Sequence, residues 1–242
     1  LESIVENNNL AAIKMEVQRS EPPFENYLKK IRKLCDDKNI ILIFDECTSG
    51  FRECLGGLHL KYGVEPDMAM FGKALGNGYA ITAVIGRKEI MDAAQSTFIS
   101  STFWTERIGP SAALKTIEIM QKTQSWKINS QKGDRVREIW SELAKKHSLE
   151  IDIGGIKPIP FFSMKNKNFL KYKTFITQEM LKKNFLSSNI VFLCISHTDE
   201  ILESYKHNLD EVFSKLAECE NGRNIDNLLE GEICHSGFKR LN

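Results

Sequence analysis

No apolar run in this 242-residue chain is long enough to cross a bilayer. The longest, Ile40 to Phe44 and Ile190 to Ile195, fall far short of the roughly 20 residues a spanning helix needs, so no membrane partner is expected. There is no C-x-x-C pair among six widely spaced cysteines (Cys35, Cys47, Cys54, Cys194, Cys219 and Cys234), which argues against a disulfide scaffold and fits a reducing, cytoplasmic setting. There is no excess of one charge either. The 33 basic and 32 acidic residues are scattered rather than blocked, so nucleic acid is not an expected partner. His59, His147, His197, His207 and His235 show no metal-ligand spacing, and no metal is expected. Repeats and low-complexity tracts are missing too. What remains is an ordinary globular composition, 42% hydrophobic, in a chain long enough for one or two cores. It opens at Leu1 in mid-pattern and is expected to be a piece of a longer protein.

Residues 10 to 17 (LAAIKMEV) read as a buried strand, and Glu21-Pro22-Pro23 stops it and opens a helix. Phe24, Tyr27, Leu28, Ile31, Leu34 and Cys35 recur at helical spacing, with basic residues opposite. Residues 40 to 45 (IILIFD) are a continuous apolar run ending in a carboxylate, the pattern of a central strand covered on both faces. Strand, helix, strand implies a parallel sheet. Short strands are expected at 67 to 71 and 81 to 86 around a glycine-rich turn, then a helix over 107 to 124 with a connector to about 147. Strand-like runs over 151 to 164, a clear strand at 189 to 196, and helices near 174 to 186 and 199 to 217 follow.

The run ending in Asp45-Glu46 also resembles the metal-binding strand of a nucleotide hydrolase. That reading fails on its partner, because the only Gly-Lys, Gly72-Lys73, lies downstream and is followed by Ala74 rather than Ser or Thr. Taken together, Asp45 and Lys73 make better sense as a carboxylate and an amine at the carboxyl ends of strands, where open α/β sheets bind ligands. Singly, a strand-end Asp is often a cap and a loop Lys a solvated charge.

The flanking residues decide between these. IILIFDECTSGFR (40 to 52), VEPDMAMFGKALGNGYAITAVIGRKEIM (64 to 91) and SSTFWTERIGPSAA (100 to 113) occur in order and resemble class-III aminotransferases, which depend on pyridoxal phosphate. Within them the pattern is similar to the glutamate-1-semialdehyde 2,1-aminomutase-like branch, as are YKTFITQEML and SHTDEILESY further on. The resemblance covers about residues 10 to 217 and implies part of an aspartate-aminotransferase-like, fold-type-I large domain with a mainly parallel sheet, then a small α+β domain. The expected boundaries are 1–125 for the C-terminal half of the cofactor-binding domain, 126–220 for the small domain with its connector helix, and 221–242 for a polar tail.

By resemblance, Lys73 is the Schiff-base lysine and Asp45 the carboxylate that keeps the pyridine nitrogen protonated, so that the ring accepts the electrons left when a substrate carbon loses its proton. Lys73, once displaced, shuttles that proton. Cys47, two positions after Asp45, would point to the same side and rest against the ring where relatives usually have valine; Glu46 would point the other way, into structure. Thr102 resembles the threonine that binds the phosphate of the neighbouring subunit's cofactor, implying a homodimer with the site at the interface, and Ser101 stands where many relatives have glycine. Asn77 and its glycines would shape the turn after Lys73.

Full-length relatives also carry a phosphate loop and a ring-stacking aromatic ahead of this region. Three readings therefore stand: an aminotransferase moving an amino group from a small-molecule donor to an aldehyde or keto substrate, an aminomutase, or an inactive remnant. The run STFWTER departs from that of the true aminomutases and favours the first.

Overall fold

The computed structural model describes residues 1–102 and 105–237. They form two compact units that divide between Ile128 and Asn129, inside one long helix.

The first unit opens with a short helix, α1 (Glu2–Asn7), and then builds a four-stranded sheet in the order β1 (Ala12–Glu16), β2 (Ile41–Asp45), β3 (Met68–Phe71), β4 (Ala83–Gly86). The first three strands are parallel, with Glu16 level with Asp45 and Asp45 level with Met70. The fourth is antiparallel to β3, because the turn that carries Lys73 brings the chain straight back rather than over a helix. Helix α2 (Tyr27–Lys38) makes the crossover between β1 and β2 and buries Leu28, Ile31 and Cys35. Asn39, in the left-handed region at φ 53°, ends that helix and turns the chain into β2. Short helices α3 (His59–Tyr62) and α4 (Lys88–Met91) follow β2 and β4, and α5 (Ile108–Thr123) closes over the Lys73 turn, with Ala113 packed among Ala69, Phe71 and Leu75.

One buried carboxylate pins this unit. Asp67 accepts hydrogen bonds from the Leu42 amide at 2.7 Å and Arg32 Nη1 at 2.9 Å, and its other oxygen pairs with Arg87 at 2.9 Å. It thereby fastens the start of β3 to β2, to α2 and to the residue after β4. Burial pushes its pKa up, but the Leu42 amide and the two arginines outweigh this and hold it below the usual carboxylate range.

Strand β2 does not have the two covered faces that its apolar run predicts. Leu42 and Phe44 are fully buried on one side, whereas Ile41, Ile43 and Asp45 on the other are only half-buried, as are Met68 and Met70 beside them. The carboxylate at the strand end thus belongs to a partly open sheet face.

In the second unit, α6 (Ser125–Lys146) leads to the antiparallel hairpin β5 (Asp152–Ile156) and β6 (Ile159–Ser163), followed by α7 (Phe169–Lys182) and α8 (Asp199–Glu220). The aromatic centre is Trp140, Phe162 and Phe213, all at 0% exposure and stacked edge to face, with Trp140 Nε1 donating to Tyr205 Oη at 2.9 Å. The strand expected at 189 to 196 is an extended segment held by one bridge, Phe161 with Ile190, and by Val191 and Leu193 amides donating to the carbonyls of Pro160 and Pro158. Those prolines have no N–H to give back, so no regular ladder forms. Within the expected polar tail, 221–242, residues 225 to 234 are docked along α7. Ile225 is buried, Gln178 bonds Leu228 and Glu230, and the Cys234 amide donates to Thr174 Oγ1 at 2.9 Å. Among the described residues no helix is long and apolar enough to cross a membrane.

Candidate active site

The site is built where β2 and β3 end side by side. The Glu46 amide donates to the Met70 carbonyl at 2.8 Å, the last rung before the strands part. Alternation sends Asp45 and Glu46 to opposite faces. Glu46 is fully buried and works as a local staple. Its Oε1 accepts the His59 amide and faces His59 Nδ1, each at 2.9 Å, and its Oε2 accepts the Ser49 hydroxyl. Burial pushes this carboxyl's pKa up, but the His59 and Ser49 hydrogen bonds prevail and lower it. The expectation that Glu46 faces into structure matches this geometry.

Asp45 stands on the half-open face. Its Oδ1 accepts the Cys47 amide at 3.1 Å and its Oδ2 pairs with Lys14 Nζ at 3.0 Å. The Lys14 hydrogen bond is the main reason its pKa lies below the ordinary value; burial opposes the shift and the Cys47 amide adds to it. Cys47 is half-buried, and a Cβ placed on Gly72 would lie 3.6 Å from its Sγ. Burial and the neighbouring Asp45 raise the Cys47 thiol's pKa, against the pull of Lys73.

Lys73 follows β3 and Gly72 at the first position of a 3-10 turn, Lys73–Leu75. Its φ of 44° is in the left-handed region, which costs a non-glycine residue roughly 1–2 kcal/mol. The turn holds it there, with the Gly76 and Asn77 amides both donating to the Lys73 carbonyl at 3.1 Å. Gly76 is required by space, since a Cβ would meet the Tyr79 carbonyl oxygen at 2.1 Å. The exposed Lys73 side chain turns towards β2, where Nζ donates to Thr48 Oγ1 at 2.6 Å. Asp45, Cys47 and Lys73 are therefore gathered at one sheet end through the Asp45-to-Thr48 segment. Thr102 lies apart from them in sequence, in an exposed turn ahead of α5; Phe103 and Trp104 of the same motif lie outside the described residues.

Two participants escape the sequence reading. Thr48 was one of several loop hydroxyls, and its role needs the turn geometry. Lys14 did leave a signal: it is the one charge inside LAAIKMEV before Glu16, in a strand read as buried.

Comparison with known proteins gives the same neighbourhood from independent directions. The aminotransferase class-III family profile matches residues 2–178. A 3-aminobutyryl-CoA aminotransferase of Cloacimonas acidaminovorans is 34% identical over 81% of this chain and 49% of its own length. A glutamate-1-semialdehyde 2,1-aminomutase of Methanococcus maripaludis is 30% identical over 80% of this chain and 46% of its own. The chain spans about half the length of these curated relatives. In fold, it is similar to the FumI protein of Sphingopyxis sp. MTA144 in its PLP internal aldimine form, with TM-score 0.83 and 22% identity over 94% of this chain and 57% of that one. A transaminase with PLP bound superposes with TM-score 0.78 and 17% identity, over 91% and 56%. The architecture is thus part of a fold-type-I transaminase, and, with a family profile spanning most of its sequence, the chain belongs to the class-III aminotransferases.

Proposed function

We propose that this chain carries the lysine-bearing part of a pyridoxal-phosphate-dependent aminotransferase, with Lys73 and Asp45 as its principal groups and Cys47 beside them. The observation that carries this reading is their convergence: an anionic carboxylate and a primary amine at the C-terminal ends of adjacent parallel strands, linked by the Lys73–Thr48 hydrogen bond of 2.6 Å. The donor set fits the cofactor. A carboxylate held below its usual pKa suits a ring nitrogen that must keep its proton, and a lysine aimed across the same strand end supplies the amine.

Pyridoxal phosphate, when bound, supplies a carbonyl carbon with which amines condense and a ring that accepts the electron pair of a deprotonated substrate carbon. Asp45 keeps the proton on the ring nitrogen. Lys73 would hold the cofactor through its Nζ amine, and the same amine would take and return the proton of the substrate carbon. Thr48 keeps that amine directed at the site, and Cys47 would pack beside the ring. Thr102 would bind the cofactor phosphate of a neighbouring subunit, which would make the working unit a homodimer. Six free cysteines suit a cytoplasmic location.

The substrates are a small-molecule amino donor and an aldehyde or keto acceptor. The 34% identical relative named as an aminotransferase favours transfer between two molecules; relatives named as aminomutases, at 30%, keep intramolecular transfer as the second reading. The test is an absorbance titration with pyridoxal phosphate against Lys73→Ala, followed by an amino donor. A visible band that requires Lys73 and is bleached by the donor is expected. If no such band forms, even with the rest of the fold supplied, the better description is a folded remnant.

A further inference from the structure

Asp45 already has a cation. Lys14, in the edge strand β1, is level with Ile43, two residues before Asp45 and on the same sheet face, and its Nζ lies 3.0 Å from Asp45 Oδ2. The carboxylate's other oxygen is taken by the Cys47 amide. Among the described residues, Asp45 faces Lys14, with which it pairs, and Glu16, level with it in β1; the Cys47 thiol is the other titratable neighbour, and Lys73 acts on that thiol. The two partners differ in cover: the Lys14 side chain is 52% exposed and that of Asp45 27%. The ammonium can therefore swing into water, or towards Glu16, while the carboxylate stays fixed at the strand end.

We propose that Lys14 is a positioning residue that stands in for a protonated ring nitrogen, neutralising Asp45 until a pyridinium group displaces it. This rests on the role given to Asp45 above. Asp45 cannot give Oδ2 fully to two cations at once, so the incoming ring nitrogen competes with Lys14. Removing the ammonium should strengthen binding of the pyridinium form, by the modest factor expected of an exposed ion pair, about two- to five-fold.

The probe is pyridoxamine 5'-phosphate, which has the ring nitrogen but no carbonyl to react with surface lysines. Binding to the 242-residue chain, alone and with the rest of the fold supplied, is followed by ligand fluorescence in wild type, Lys14→Met, Lys14→Arg, Asp45→Asn and Lys14→Met/Asp45→Asn. We expect Lys14→Met to bind about two- to five-fold more tightly, Lys14→Arg to match wild type, and the Lys14 effect to vanish in the Asp45→Asn background. In parallel, the Asp45 carboxyl is titrated by NMR without ligand; its pKa should rise towards the ordinary value in Lys14→Met and stay low in Lys14→Arg. An Asp45 titration that does not move would overturn the ion pair while leaving the cofactor reading intact. A moved titration with equal or weaker binding would overturn the competition. No binding by any variant, with the rest of the fold supplied, would overturn the cofactor reading, and the stand-in role with it.

Discussion

Glu46→Ala should loosen the whole strand end on which the candidate site is built. The carboxylate has no exposure to solvent and serves three donors: the His59 amide, the His59 ring and the Ser49 hydroxyl. Truncation leaves these groups buried beside a cavity with nothing to accept them. Removing one side of a buried charged network costs about 3–5 kcal/mol, a large part of the stability of a unit this size. Glu46→Gln keeps the volume and one carbonyl acceptor, and its cost should be about 1–2 kcal/mol. The pH dependence has a definite sign. Because the folded pKa is lowered, the contribution is complete above the ordinary value of 4.5 and is lost as pH falls through the lower folded value. Wild type should therefore lose stability on acidification below about pH 4.5 more steeply than Glu46→Gln. Urea unfolding at pH 7 and pH 4, with hydrogen exchange at the His59 and Gly50 amides as the local readout, measures both effects. If Glu46→Ala unfolds within about 0.5 kcal/mol of wild type with those amides still protected, the staple is refuted.

Three further outcomes are expected. Asp67→Asn weakens the joint between β2, α2 and Arg87 and should cost about 2–4 kcal/mol in urea unfolding, more than Lys33→Ala on the exposed face of α2. Gly76→Ala forces a Cβ against the Tyr79 carbonyl and must displace the turn that fixes Lys73, so the Lys73-dependent absorbance band should fall while far-ultraviolet circular dichroism is kept. In the second unit, burial pushes the Glu179 carboxyl up, but Lys182, Lys215 and Gln178 bring it down to about 2. Its contribution, at most about 3 kcal/mol, is therefore present above pH 4.5 and lost between there and pH 2, and Glu179→Gln should flatten that part of the stability profile.

The parts of this fold that sequence expresses well are those governed by local period. The apolar faces of α2 and α8 and the run IILIFD each stand close to the observed element, because burial of one stripe or one short strand dictates the pattern. Periodicity could not show which residues lie beside which. In the 189 to 196 run, every residue type favours a strand, yet its would-be neighbours Pro158 and Pro160 offer carbonyls without amides, a fact belonging to the other side of the ladder. The half-open face of β2 was equally hidden, since Ile41 and Ile43 look the same in sequence whether covered or not.

The candidate site divides along the same line. Asp45 and Lys73 could be picked out because a carboxylate ending an apolar run and a lysine in a glycine-rich turn are each local signals, and resemblance linked them. The Lys14–Asp45 pair depends on register. Placing Ala12 level with Ile41 puts Lys14 two residues before the level of Asp45, on the same face and within reach of a four-carbon side chain. A slip of one residue would turn Lys14 to the buried face, among Leu42 and Phe44, where an unpaired ammonium is too costly to keep. The lysine that seemed misplaced in LAAIKMEV thus helps to fix the register, and the carboxylate it meets is the one to which the proposed chemistry assigns a cation.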